Sequence, residues 1–257
     1  MSEHTMSASK KMIRLRIKRQ KDAQSAPYWE EFDVPYRPNM NVISALMEIQ
    51  RHPVNAEGEK VSAVVWESNC LEEVCGACSM KINGKVRQAC SALIDRLEQP
   101  IILEPMSTFP VERDLIVNRQ RMFEGLKKIR GWITIDGSYP LGPGPSISQE
   151  EQQEAYKYAT CMTCGCCLEA CPNVNDRSPY LGPQAMAQVK YFNMHPTGNL
   201  QKGERMEVVV GEEGIANCGN SQNCVQVCPK NISLTTALAE LNREANRFAL
   251  KKWLMGH

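Results

Sequence analysis

The chain has 257 residues, with 30 Lys and Arg against 29 Asp and Glu and a formal charge of +1. That balance gives no global electrostatic case for nucleic acid or anionic lipid, and the length fits one large domain or two of ordinary size. Hydrophobic residues make up 42%, enough for a core. Residues 1–11 are polar and lack the apolar stretch of a signal peptide, and no run of about 20 apolar residues could span a bilayer, so a soluble or peripheral, cytoplasm-facing protein is expected.

In chain order, residues 12–18 alternate Ile13, Leu15 and Ile17 with Arg14, Arg16 and Lys18, the period of a half-buried strand. Residues 31–34 alternate again. Asn41 suits an N-cap, and Val42, Ile43, Leu46 and Met47 then make a helical stripe. Residues 62–66 are β-branched and apolar, which predicts a strand. Residues 80–86 predict a hairpin turning at Asn83-Gly84, and 101–103 a last strand closed by Pro105. A small mixed sheet crossed by one helix is a β-grasp-like arrangement.

Beyond residue 110 the pattern becomes helical. Leu115, Met122, Leu126 and Ile129 keep helical phase across 111–130, and 131–145 is a Gly/Pro-rich connector. Ser148 with Glu151 predicts a capping box. Leu238, Leu241, Ala245 and Phe248 predict a final amphipathic helix. The predicted fold class is α+β, with an N-terminal domain at 1–110 and a mainly helical C-terminal domain at 111–257.

The 12 cysteines carry the chemistry. Six disulfides would need an oxidising compartment, and the C-x2-C spacings suit metal better. Cys70, Cys75 and Cys78, with Cys90 beyond the hairpin, have the C-x4-C-x2-C…C spacing of plant-type [2Fe–2S] ferredoxins. Gly76 and Ala77 allow three thiolates to converge from one tight loop. A structural zinc site is the competing reading, but zinc ribbons favour paired C-x2-C knuckles. Glu72 and Glu73 in this loop are read as solvated charges.

Cys161, Cys164, Cys167 and Cys171, followed by Pro172, spell C-x2-C-x2-C-x3-C-P, the run of bacterial ferredoxins. Cys218, Cys224 and Cys228, followed by Pro229, repeat it with Ser221 at the second position. In two-cluster ferredoxins the fourth cysteine of each run ligates the other cluster. That crossing groups Cys161, Cys164 and Cys167 with Cys228 around a [4Fe–4S] cluster. It groups Cys171 with Cys218 and Cys224 around the second. Three thiolates suit [3Fe–4S]; ligation by the Ser221 oxygen or a labile, partly filled site are the alternatives. Cys166 is left over as a packing or hydrogen-bonding residue. No catalytic acid, base or nucleophile constellation is present, so the chemistry belongs to the cofactors.

A plant-type [2Fe–2S] domain followed by a two-cluster domain with one incomplete motif resembles the iron–sulfur subunit of succinate dehydrogenase and fumarate reductase. The likeness rests on residues 70–78, 161–167 and 218–230 and spans nearly the whole chain. Family members often carry an extra cysteine where Cys166 stands. The resemblance implies an electron-transfer subunit of a membrane-bound succinate:quinone oxidoreductase on the cytoplasmic side, with no substrate-converting residues of its own. It implies a flavoprotein partner carrying FAD and a membrane anchor, a cytochrome b type with haem. Electrons would pass from FAD through [2Fe–2S], [4Fe–4S] and [3Fe–4S] to quinone. The same subunit of a quinol:fumarate reductase, or of another flavoprotein complex, is the alternative.

Ubiquinone-reducing relatives often place a Trp shortly after the Cys-Pro of the second motif and a His after the first cysteine of the third. Asp176 and Gly219 stand there, while Pro172 is retained as a quinone-side residue. The resemblance therefore implies a menaquinone type like those of Gram-positive bacteria, with quinone held mainly by the anchor or reached through its haem.

Overall fold

The computed structural model describes residues 11–134 and 145–255. The chain divides into two compact units, residues 1–106 with 110–117 and residues 107–109 with 118–257.

The first unit is a five-stranded mixed sheet of order β2-β1-β5-β3-β4. β1 (Met12–Arg19) pairs antiparallel with β2 (Tyr28–Pro35) and parallel with β5 (Ile101–Glu104). β3 (Ser79–Ile82) and β4 (Lys85–Gln88) form the hairpin turning at Asn83-Gly84, where φ is 49° and 76°. Those left-handed values are what an Asn-Gly turn supplies at least cost. α1 (Val42–Arg51) starts where Asn41 Oδ1 accepts the Ser44 N–H at 2.8 Å.

Ile13, Leu15 and Ile17 of β1 and Val42, Ile43 and Leu46 of α1 share one core. Each such side chain, buried in full, contributes roughly 1.5–3 kcal/mol. Residues 62–66 are extended but form no strand. Their backbone bonds go elsewhere: Arg19 donates to the Ser62 carbonyl at 3.1 Å and the Val65 N–H donates to Asp114 at 2.9 Å. The Val65 carbonyl accepts the Leu115 N–H at 3.1 Å, a single backbone bond that extends into no ladder.

Residues 111–130 are not one helix. They begin as a small ribbon, β6 (Val111–Arg113) and β7 (Ile116–Val117), and only then enter α2 (Gln120–Lys128). Asp114 lies between the two strands at a φ of 47°, which a continuing helix cannot accommodate. Leu115 keeps its apolar role by packing into the first unit's core.

The second unit is helical. α3 (Gln149–Ala159) carries the capping box at Ser148 and Glu151. Two four-residue helices lie within the cysteine runs, α4 (Cys166–Glu169) and α7 (Asn223–Gln226). Between them lie α5 (Pro183–Met194) and α6 (Lys202–Val210), neither marked by the sequence pattern. α8 (Leu234–Met255) closes the unit, burying Leu234, Leu238, Leu241 and Ala245. Ion pairs join Lys202 of α6 to Glu244 at 2.9 Å and Glu207 of α6 to Lys252 at 2.7 Å. Residues 131–134 of the expected connector are irregular, and 135–144 lie outside the described residues. Among the described residues no helix is long and apolar enough to cross a membrane.

Candidate metal centres

The loop from Cys70 to Cys78 curls because its backbone alternates. Leu71, Glu73 and Gly76 have φ of 60°, 58° and 73°. Two left-handed non-glycine residues in three positions are costly unless the surroundings hold them, and such strain clusters at functional sites. Here the curl turns amides onto sulfur. Cys70 Sγ accepts from the N–H groups of Glu72 at 3.4 Å and of Val74 and Cys75 at 3.3 Å. These bonds lower the Cys70 pKa to about 7, which favours the thiolate that iron requires.

The far side of this site is dry. Cys78 is 3% and Cys90 7% exposed, and burial is the main cause that pushes Cys78 up to about 12. The Cys78 thiol donates to Gln88 Oε1 at 3.5 Å, and Gln88 Nε2 donates to Ser79 Oγ at 2.7 Å. Asn41 Nδ2 donates to the Cys90 carbonyl at 2.8 Å, so the residue capping α1 also anchors the Cys90 backbone. Glu73 is not simply solvated: it accepts from Ser91 Oγ at 2.6 Å and ties the ligand loop to the segment bearing Cys90. Glu73 is half-buried rather than fully solvated.

The two later runs have matching backbones. In the first, Thr163 and Gly165 have φ of 51° and 87°; in the second, Asn220 and Gln222 have 52° and 62°. Each pair flanks the second position of its motif, Cys164 in one and Ser221 in the other. Each is followed at once by a short helix, α4 or α7. Ser221 therefore occupies in the second run the position that Cys164 holds in the first, in conformation as well as in spacing. Asn223 Nδ2 donates to the Ala170 carbonyl at 3.0 Å and links the two repeats.

The thiols gather in a crossed arrangement. Cys161, Cys164, Cys167 and Cys228 line one space of about 450 Å³, open in part to solvent. Cys171, Cys218 and Cys224 line another of about 280 Å³, with Gly219 and Ser221 at its rim. Among the described residues no group of three or more His, Cys, Asp or Glu is one that could hold a single metal ion; the thiols ring larger spaces instead.

Burial pushes the Cys161, Cys167 and Cys171 thiols up, and Cys224 up to about 11. Buried thiols stay neutral unless a cation sits among them, and an iron–sulfur cluster would supply that charge. Cys164 differs. Its pKa falls to about 7, chiefly because the Cys166 side chain hydrogen-bonds to it, with the Arg119 charge adding to the effect. Cys166 is itself 0% exposed. The donor set and its surroundings thus fit iron–sulfur clusters.

The positions expected on the quinone side are varied. Pro172 is exposed beside Cys171, and Asp176 is exposed. At Gly219 a Cβ would lie 2.8 Å from Asn173 Oδ1, so any side chain there requires Asn173 to swing away. His195 caps α5 and accepts the Gly198 N–H at 3.3 Å.

Two family models match the chain: a 2Fe-2S iron-sulfur cluster binding domain over residues 14–124 and a 4Fe-4S dicluster domain over residues 157–232. The chain is 61% identical over 246 residues to the succinate dehydrogenase iron-sulfur subunit of Bacillus subtilis, covering 96% of this chain and 97% of that one. It is 28% identical over 235 residues to the fumarate reductase iron-sulfur subunit of Mycobacterium tuberculosis, covering 91% and 92%. Its fold is shared with a chain of the Mycobacterium smegmatis Sdh1 complex in the apo form, with a TM-score of 0.79, 23% identity and coverage of 95% and 98%. With the strained ligand loops and the crossed cysteine runs, these similarities show that the chain belongs to the iron–sulfur subunit family of succinate dehydrogenases and fumarate reductases.

Proposed function

We propose that the chain is the electron-transfer subunit of a membrane-bound succinate:quinone oxidoreductase, peripheral on the cytoplasmic side. The observation that carries this reading is the crossed gathering of thiols around two separate spaces, one with four cysteines and one with three. The partners are an FAD-containing flavoprotein and a membrane anchor of cytochrome b type. When bound, the clusters supply one-electron redox steps between FAD and quinone.

The ligand sets follow from the groupings. Cys70, Cys75, Cys78 and Cys90, in a domain ending near residue 110, hold [2Fe–2S]. Cys161, Cys164, Cys167 and Cys228 hold [4Fe–4S]. Cys171, Cys218 and Cys224 hold [3Fe–4S], with both of these sets in the domain from 111 to 257. The residues themselves orient sulfur, exclude water and aim N–H groups at thiolate, which is how a protein sets a cluster's potential.

Succinate oxidation is favoured over fumarate reduction by the 61% identity to a succinate dehydrogenase subunit, against 28% to a fumarate reductase subunit. Menaquinone is the acceptor, reached through the anchor with Pro172 on the quinone side, because Gly219 offers no side chain to a quinone. Electron paramagnetic resonance of the intact complex titrated with succinate tests the reading. Three cluster signals responding to succinate, one of [3Fe–4S] type in the oxidised protein, are expected. A protein without the [3Fe–4S] signal refutes the third ligand set, and efficient ubiquinone reduction refutes the quinone assignment.

A further inference from the structure

Tyr180 lies between α4 and α5, outside every cysteine motif. Its side chain is 0% exposed. The stretch around it is fixed on both sides. The Leu181 N–H donates to the Glu213 carbonyl at 3.1 Å, and Arg121 donates to the Tyr180 carbonyl at 3.4 Å. Gly182 follows at a φ of 98°, where a Cβ would lie 3.1 Å from Leu168 Cγ. The backbone is thus drawn tightly against α4, and the phenol is carried into the interior.

A buried tyrosine hydroxyl nearly always has a hydrogen-bond partner. Tyr180 Oη is buried and makes no completed hydrogen bond within the protein. The groups that act on it are the sulfurs of Cys218, Cys171 and Cys224, and Cys218 is within its reach. These are the three thiols that line the smaller space. A phenol, with an ordinary pKa of about 10, carries its proton at neutral pH, so the hydroxyl is available as a donor.

We propose that the Tyr180 hydroxyl donates a hydrogen bond to the third cluster at its Cys218 sulfur and thereby raises that cluster's reduction potential. The inference rests on the assignment of Cys171, Cys218 and Cys224 to one cluster. A donor aimed at sulfur stabilises the more negative state, so it favours reduction. The orphaned hydroxyl then has a reason: its acceptor is the metal-bound sulfur.

The test is a redox titration of the intact complex by electron paramagnetic resonance, comparing the unaltered protein with Tyr180→Phe. The variant keeps the ring and removes only the donor. The reduction equilibrium of the third cluster is expected to fall about tenfold, a shift of about 59 mV for one electron, while the other two clusters hold their potentials. Electron–nuclear double resonance after exchange into D2O should show a coupled deuteron that Tyr180→Phe lacks. An unchanged potential, or an equal shift in all three clusters, overturns the proposal. Loss of the third cluster alone overturns it too, because the hydroxyl's role is then structural. Failure of the parent assignment looks different: the unaltered protein itself would lack the [3Fe–4S] signal.

Discussion

Arg19 and Asp114 meet at two points, Nε to Oδ1 at 3.0 Å and Nη2 to Oδ2 at 3.2 Å, with side chains only 1% and 2% exposed. The same carboxylate accepts the N–H groups of Gln20 at 3.0 Å and Val65 at 2.9 Å. One buried acid thus joins the end of β1, the extended stretch at 62–66 and the β6–β7 ribbon.

Removing the Asp114 carboxylate leaves buried Arg19 with Glu30 as its remaining carboxylate partner and strips the Gln20 and Val65 N–H groups of their acceptor. Asp114→Ala is expected to destabilise the first unit by about 3–5 kcal/mol. Urea unfolding followed by visible circular dichroism of the [2Fe–2S] site should show the midpoint falling. A midpoint within error of the unaltered protein would mean that Arg19 finds compensation from Glu30 and the Ser62 carbonyl alone.

Cys166 tunes rather than binds, if its hydrogen bond to Cys164 is its main role. Cys166→Ala should retain full iron content and lower the [4Fe–4S] potential by less than about 59 mV, under tenfold in the reduction equilibrium. Cys164→Ala should lose that cluster. Iron analysis with a redox titration distinguishes the two, and loss of iron in Cys166→Ala would make it a ligand.

Ser221 shares the backbone of Cys164, between left-handed Asn220 and Gln222. Ser221→Cys should therefore place a fourth thiolate at the third site and convert it to [4Fe–4S]. The oxidised [3Fe–4S] signal should vanish and iron per chain rise by about one, because one added thiolate holds one added iron. Persistence of the signal with unchanged iron would show that the loop does not present residue 221 to the cluster.

The capping box at the start of α3 carries a pH dependence of known sign. The Glu151 carboxyl is held below its ordinary value by the Ser148 backbone N–H and then by its hydroxyl. A lowered folded value gives stability that is present above the unfolded pKa, about 4.3. That stability is lost as pH falls through the lowered value. Amide exchange in the first turn of α3 should accelerate, relative to intrinsic exchange, across that acid window. Glu151→Gln should remove this pH dependence.

The sequence by itself determined the family and the order of the three cysteine motifs, because ligation needs particular residue types at particular spacings and both are written in the chain. It also determined β1, β2, α1, the Asn83-Gly84 hairpin and α8, where local period and turn chemistry agree with the final packing. Tertiary structure decided the rest. Residues 62–66 have strand composition, yet their amide and carbonyl groups are taken by Asp114 and Arg19, which arrive from distant parts of the chain. Leu115 continues an apolar helical phase, yet Asp114's left-handed backbone breaks the helix before it can form. Buried Arg205, donating to the carbonyls of Arg130, Trp132 and Gly198 at 3.0, 2.8 and 2.7 Å, had no motif to announce it. Nor did Tyr180, whose hydroxyl is carried into the interior only by folding. Spacing encodes which thiolates can reach a metal; which other donors face those sulfurs depends on long-range packing, and no local pattern records it.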